Sequence, residues 1–144
     1  MSDLLLPVAC RQAIAAHLQQ CYPQEGCGLL LGKDRRVEQV WPAANVWQPS
    51  TVEENHDRRD RYQVDPQTLL QAQRYCRDRQ WQILGIYHSH PDHPALPSEC
   101  DRLQAWPEYV YLIASVTQGK IKDCRCWQLN DQQQFQAIAI AEPT

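Results

Sequence analysis

No stretch of Lys and Arg longer than the pairs at 35–36 and 58–59 occurs in the 144 residues, and the formal net charge is −3. A surface that tracks phosphates needs a basic stripe, so nucleic acid is not an expected partner. Nor does the chain contain the roughly 18 consecutive apolar residues of a membrane helix. Its N-terminal apolar run stops at Pro7, and Asp3 stands where a secretory leader would be basic. A soluble, cytoplasmic protein with no membrane partner is expected. Regular cysteine spacing is missing as well. The seven cysteines, at 10, 21, 27, 76, 100, 124 and 126, form an odd set, which fits reduced, mostly buried thiols better than a disulfide framework. There is no internal repeat or low-complexity tract, and the length suits one globular domain over 1–144 with room for one site.

What is present is a succession of short, well-punctuated elements. Cys10, Ile14, Leu18 and Cys21 fall on one helical stripe between Pro7 and Pro23, predicting a first helix over 7–21. "CGLLLG" (27–32) and "RVEQVW" (36–41), separated by "KDR", read as a hairpin. Residues 48–61 hold one aliphatic side chain and seven charges, so they form a long solvated loop, with a lid or substrate rim as the functional alternative. "RYQV" is a candidate short strand. Asp65 and Pro66 supply the N-cap and first turn of a second helix over 66–79, with Leu69, Ala72 and Cys76 on its stripe. "ILGIY" (83–87) has the continuous apolar pattern of a strand covered on both faces. "SECDRLQAW" (98–106) is a short helix, "YVYLIASV" (109–116) a second buried strand, and "KDCRCWQL" and "FQAIAIA" complete the sheet. Strands apolar on both faces require helices on both sides, which gives a three-layer α/β/α domain with a mixed central sheet.

The segment "HSHPDH" (88–93) is expected to begin where the 83–87 strand ends, the place where ligands gather in such sheets. His88 and His90, two apart, share a face and can converge on one ion. The residue that completes the site is open at this point. Asp92 and His93 would complete a pattern that resembles the His-x-His-x-Asp-His signature of metallo-β-lactamase-like hydrolases. That family needs further downstream histidines, and none follows His93. The His-x-His of amidohydrolases belongs to a barrel of roughly 250 residues, beyond this length.

The alternative joins "EGCGLLLG", "HSHP" and "SECD": Glu25, then His88 and His90, then Ser98 and Asp101. This pattern resembles the JAMM (MPN-plus, Jab/PAD-type) zinc metalloprotease family, and the likeness extends over nearly the whole chain, from the first helix to "YVYLIASV". The resemblance implies one Zn²⁺ per chain held by His88, His90 and Asp101, with water in the open fourth position. It implies Glu25 as the general base that passes the water proton to the leaving amine, and Ser98 as an oxyanion donor. The expected substrate is the C-terminal tail of a ubiquitin-like or sulfur-carrier protein, cut at an amide or isopeptide bond. A non-catalytic MPN-type scaffold and a RadC-like DNA-repair-associated protein remain as alternatives. Scaffolds usually lose ligands, whereas all of them stand here.

Each of these residues also has a plainer role open to it. Ser98-x-x-Asp101 is a helix start in its own right, and Glu25 alone would be an exposed loop acid. His93 is expected to be a bystander in the turn, His17 a helix-packing residue and His56 a loop residue. Cys27 and Cys100 adjoin site members but are expected to pack, as are Cys124 and Cys126 on their shared strand face.

Overall fold

Helix α1 (Val8–Cys21) starts one residue after Pro7 and sets Ile14 and Leu18 into the core, while Cys10 and Cys21 are half-buried. The computed structural model describes residues 2–49 and 55–143, and statements about structure refer to those residues. Helix α2 (Pro66–Arg79) begins as predicted. Asp65 accepts from the Gln67 N–H, Pro66 fills the first turn, and Arg77 and Arg79 complement the C-terminal end of the dipole. Helix α3 (Glu99–Gln104) is shorter than expected, ending at Ala105, which already has extended backbone angles.

The eight strands are β1 (Leu4–Leu5), β2 (Cys27–Lys33), β3 (Arg36–Ala43), β4 (Gln82–Pro91), β5 (Val110–Thr117), β6 (Lys120–Leu129), β7 (Phe135–Ile138) and β8 (Ile140–Ala141). They form one mixed sheet in the order β7-β6-β5-β4-β2-β3-β1-β8. Its parallel pairs are β4 with β5, and β1 with both β3 and β8. Because side chains alternate along a strand, β2 serves two layers. Leu30 packs with Ile14 and Leu18 of α1, while Leu29 and Leu31 pack with Ala72 and Cys76 of α2. The expected mixed-sheet α/β architecture is therefore present, with α1 and α2 on opposite faces.

Three further expectations change. "FQAIAIA" is not one strand, because β7 and β8 lie at opposite ends of the sheet order and are joined by Ala139 alone. A one-residue link spans at most about 7 Å, so the sheet curls until its two ends meet. Arg35 crosses the same gap, donating from Nη1 to Gln128 on β6 and from Nε to the Asp3 carbonyl. Second, "RYQV" contributes only an isolated bridge between Val64 and Asn45, and β1, two residues long, left no periodicity to read.

Third, β4 does not stop at Tyr87. It runs to Pro91, because β5 offers a continuous parallel ladder pairing His88 with Ile113 and His90 with Ser115. The polar letters concealed that continuation. An irregularity opposite Leu30 and Leu31 also shifts the phase of β4, so that Leu84 and Tyr87 join the α1 core while Ile86 faces α2. His88 and His90, two and four residues on from Ile86, follow it onto the α2 face.

Candidate metal centre

His88 is fully buried in the middle of the sheet, where β4 pairs with Cys27 on one side and Ile113 on the other. Its ring stacks on Tyr62 at a centroid distance of 4.2 Å. Its Nδ1 lies 3.2 Å from Glu25 Oε1. Its Nε2 is buried without a hydrogen-bond partner and faces Asp101 Oδ1 at 3.8 Å. His90 lies one step further along the same face. Its Nδ1 meets the Pro94 carbonyl at 2.9 Å and its Nε2 meets Asp101 Oδ2 at 3.1 Å.

These partners decide where the protons sit. A carbonyl only accepts, so His90 Nδ1 must donate to Pro94, which leaves its Nε2 as the lone-pair nitrogen of a neutral ring. That lone pair points at a carboxylate oxygen. Two acceptors at 3.1 Å repel unless a cation, proton or metal, lies between them. Asp101 and the Pro94 contact hold the His90 pKa above its ordinary value although burial pulls it down. Asp101 is held well below the usual carboxylate range: burial opposes this, but the His88 and His90 rings, which oppose its charge whenever they carry a proton, and the Ser98 N–H prevail. Two imidazole nitrogens and a carboxylate are zinc-type donors. One of the two nitrogens, His88 Nε2, is orphaned, and the set fits a divalent ion of that kind.

Glu25 reaches this point through backbone constraints. It stands just before β2, its N–H donates to the Arg58 carbonyl at 2.7 Å, and its own carbonyl accepts from Asn45 Nδ2 at 3.0 Å. The next residue, Gly26, exchanges hydrogen bonds with Ser89, N–H to Oγ at 2.8 Å and Ser89 N–H to carbonyl at 3.1 Å. A Cβ on Gly26 would sit 2.8–2.9 Å from Leu18 and Cys21, so only glycine lets this segment press against α1. Glu25 is 4% exposed, not the exposed acid its isolated letter suggested. Glu25, His88 and His90 each offer a ligand-type atom within 4.8 Å of the others. Asp101 meets the Nε2 atoms of both rings, whereas Glu25 meets Nδ1 of His88.

Ser98 and Asp101 form the reciprocal start of α3. Ser98 Oγ accepts from the Asp101 N–H at 3.0 Å, and Asp101 Oδ2 accepts from the Ser98 N–H at 2.8 Å. The capping role is therefore real, and it leaves the Ser98 hydroxyl proton free to donate. Ser98, Glu25 and His90 all line one cleft of about 320 Å³.

The other candidate letters lie apart. Asp92 turns away from the centre with φ of 60°, accepting from the Tyr22 hydroxyl at 2.7 Å and the Gln118 N–H at 3.0 Å. His93 lies exposed on the cleft rim. His17 binds the Tyr87 hydroxyl through Nδ1 at 2.8 Å, and His56 holds Asp60 at 2.7 Å. The Cys27 thiol is pushed up to about 12, chiefly by burial, and it faces the Ala43 and Ala44 carbonyls. Cys124 and Cys126 both pack in the α1 core. Cys100 lines a small cavity beside Asp101 and Tyr62.

Of the charged loop, residues 50–54 lie outside the described residues, and Arg59, Asp60 and Arg61 form one wall of the cleft. This is the rim position among its two expected roles. Sequence reasoning missed Tyr62, Asn45 and Arg61. Asn45 spends its whole amide on this region: Nδ2 donates to the Glu25 and Arg61 carbonyls, and Oδ1 accepts from the Trp47 and Gln63 N–H groups. Only its place after β3 could have drawn attention to it.

A family profile described as prokaryotic homologs of the JAB domain matches residues 7–130. The chain belongs to this prokaryotic JAB family. Within the family it is 38% identical over 110 residues to a probable TtuB-protein conjugate cleaving protease of Thermus thermophilus, covering 76% of this chain and 68% of that one. It is 33% identical over 121 residues to a desampylase of Haloferax volcanii, covering 79% of this chain and 81% of the relative. Among solved structures, a protein of Desulfitobacterium hafniense, 30% identical, superposes with a TM-score of 0.78 over 96% of this chain and 92% of its own. The family profile spans all five proposed site positions, from Glu25 to Asp101.

Proposed function

We propose that this prokaryotic JAB hydrolase cuts the amide or isopeptide bond at the C-terminal tail of a ubiquitin-like or sulfur-carrier protein, with one Zn²⁺ per chain held by His88, His90 and Asp101. The observation that carries the ligand set is the pair of Nε2 atoms, one of them orphaned, turned on the two oxygens of Asp101. Relatives named for cleaving protein conjugates support the substrate class. When bound, zinc would acidify a water towards pKa ~7 and polarise the scissile carbonyl.

The remaining work falls to side chains. Glu25, fixed behind β2 and open to the cleft, takes a proton from the attacking water and gives it to the leaving nitrogen as the C–O bond forms and the C–N bond breaks. Its hydrogen bond to His88 Nδ1 holds that ring with Nε2 forward. Ser98 donates its free hydroxyl proton to the oxyanion. A 320 Å³ cleft is at the small end of the ~300–1,000 Å³ range for ligand sites, which suits an extended tail of small residues.

We place the enzyme in the cytoplasm, with residues 1–144 as one domain. No described helix is long and apolar enough to cross a membrane. The test is metal analysis combined with turnover of a carrier-protein fusion. One zinc per chain and cleavage after the carrier tail are expected. Zinc without cleavage of any such fusion would favour the non-catalytic scaffold.

A further inference from the structure

Three arginines, at 58, 59 and 61, stand in the segment that borders the cleft, and their partners separate them. Arg58 donates from Nε to the Trp47 carbonyl at 2.8 Å and is a strut. Arg59 is paired with Asp57 through Nη2 at 2.7 Å and Nε at 3.1 Å, and most of its side chain is in solvent. Arg61 is different. Its side chain is only 19% exposed, and its Nε is buried with no partner. Nη1 donates to the Asp60 carbonyl at 2.9 Å, and Nη2 donates to His56 Nε2 at 3.2 Å. Among the described residues its ion-pair partner is Asp60 Oδ2, which stays 4.0 Å away because its short contact is with His56 Nδ1 at 2.7 Å. Among the described residues, each Nη therefore keeps one uncommitted hydrogen.

Arg61 also stands where reacting groups would be. It lines the main cleft with Glu25, His90 and Ser98, and the smaller cavity with Tyr62 and Asp101. One nitrogen, Asn45 Nδ2, holds the carbonyls of both Glu25 and Arg61 at 3.0 Å, so the cation and the proposed base are fixed to each other through a single side chain.

We propose that Arg61 binds the acyl side of the cut bond and, after hydrolysis, the new C-terminal carboxylate. This rests on the hydrolase reading above. Before cleavage that group is a neutral carbonyl with a single acceptor oxygen. Afterwards it is an anion whose two oxygens match the two free hydrogens of a planar guanidinium. Arg61 is thus a specificity residue for tails whose carboxyl carbon is the reacting atom, and it makes the released carrier a competitive product.

The test uses the zinc-loaded full chain and calorimetry with one synthetic peptide ending in Gly-Gly, supplied as the free acid and as the C-terminal amide. Wild type is expected to bind the acid about tenfold more tightly, the worth of one charge-assisted contact. Arg61→Gln is expected to lose that preference while binding the amide as before. If Arg61→Gln does not fold, Arg61→Lys decides: it keeps the charge without the fork and is expected to lose most of the preference. An acid preference that survives either substitution, as it would if the metal alone held the carboxylate, overturns the proposal. Cleavage of a carrier fusion by wild type is measured alongside. An enzyme that discriminates acid from amide through Arg61 yet cuts no fusion supports the carboxylate site while overturning the hydrolase reading.

Discussion

The two faces of β4 differ in how they treat polar groups. Towards α1, the Tyr87 hydroxyl binds His17, Ser89 Oγ accepts from the Gly26 N–H, and the rest of that face is apolar core. Towards the cleft, the same strand presents His88 with a buried nitrogen that has no partner, and His90 whose Nε2 meets an Asp101 oxygen at 3.1 Å across a proton or a metal ion. Buried polar groups without partners cost about 1–3 kcal/mol each. The fully satisfied face is therefore the rigid backing that holds the unsatisfied one ready for an ion. Past the irregularity opposite Leu30 and Leu31, alternation along one strand supplies both.

Substitutions on the two faces should separate activity from stability. Glu25→Gln is expected to lower turnover of a carrier fusion by about 10²–10⁴-fold, with zinc content and melting temperature near wild type. Full activity in that variant would remove Glu25 from the chemistry. Leu30→Ala, on the backing face with Ile14 and Leu18, should do the reverse. It is expected to cost about 2–5 kcal/mol in urea unfolding, with zinc still at one per chain in the folded protein. A stability change under 1 kcal/mol would show that the α1 core does not carry the sheet.

Ser89→Ala lies between the two. It leaves the Gly26 N–H without its acceptor, at about 1–3 kcal/mol. Because Gly26 adjoins Glu25, a fall in turnover should accompany the lost stability. Stability lost with turnover untouched would uncouple the backing from the base. The smallest effect is expected at Asp92, whose carboxyl lies below its ordinary value of 3.8 because of the Gln118 N–H and the Tyr22 hydroxyl. A depressed folded pKa means that its contribution is complete above 3.8 and lost as pH falls through the folded value. The stability gap between wild type and Asp92→Asn should therefore close in acid. A gap that widened there would contradict the assignment.

Much of this was legible in the sequence. The helices over 7–21 and 66–79, the hairpin and the two buried strands declare themselves through periodicity and proline or Asp-Pro punctuation, because those features act within a few residues. Glu25, His88, His90, Ser98 and Asp101 were legible only as a pattern, since each letter alone has a more ordinary use. What stayed hidden depends on long-range pairing. The extension of β4 through "HSHP" needs the β5 ladder, the division of "FQAIAIA" needs a curled sheet, and Asn45, Arg61 and Tyr62 acquire meaning only when the charged loop and the residues flanking it fold against Glu25 and His88. The burial of Glu25 has the same origin.

The ligand set is tested most directly by zinc content per chain, measured by plasma mass spectrometry, in Asp101→Ala and Asp92→Ala. The geometry predicts that Asp101→Ala loses its zinc and that Asp92→Ala, which loses its Tyr22 and Gln118 contacts away from the centre, keeps one ion. Zinc retained in the first variant and lost in the second would contradict the site as described.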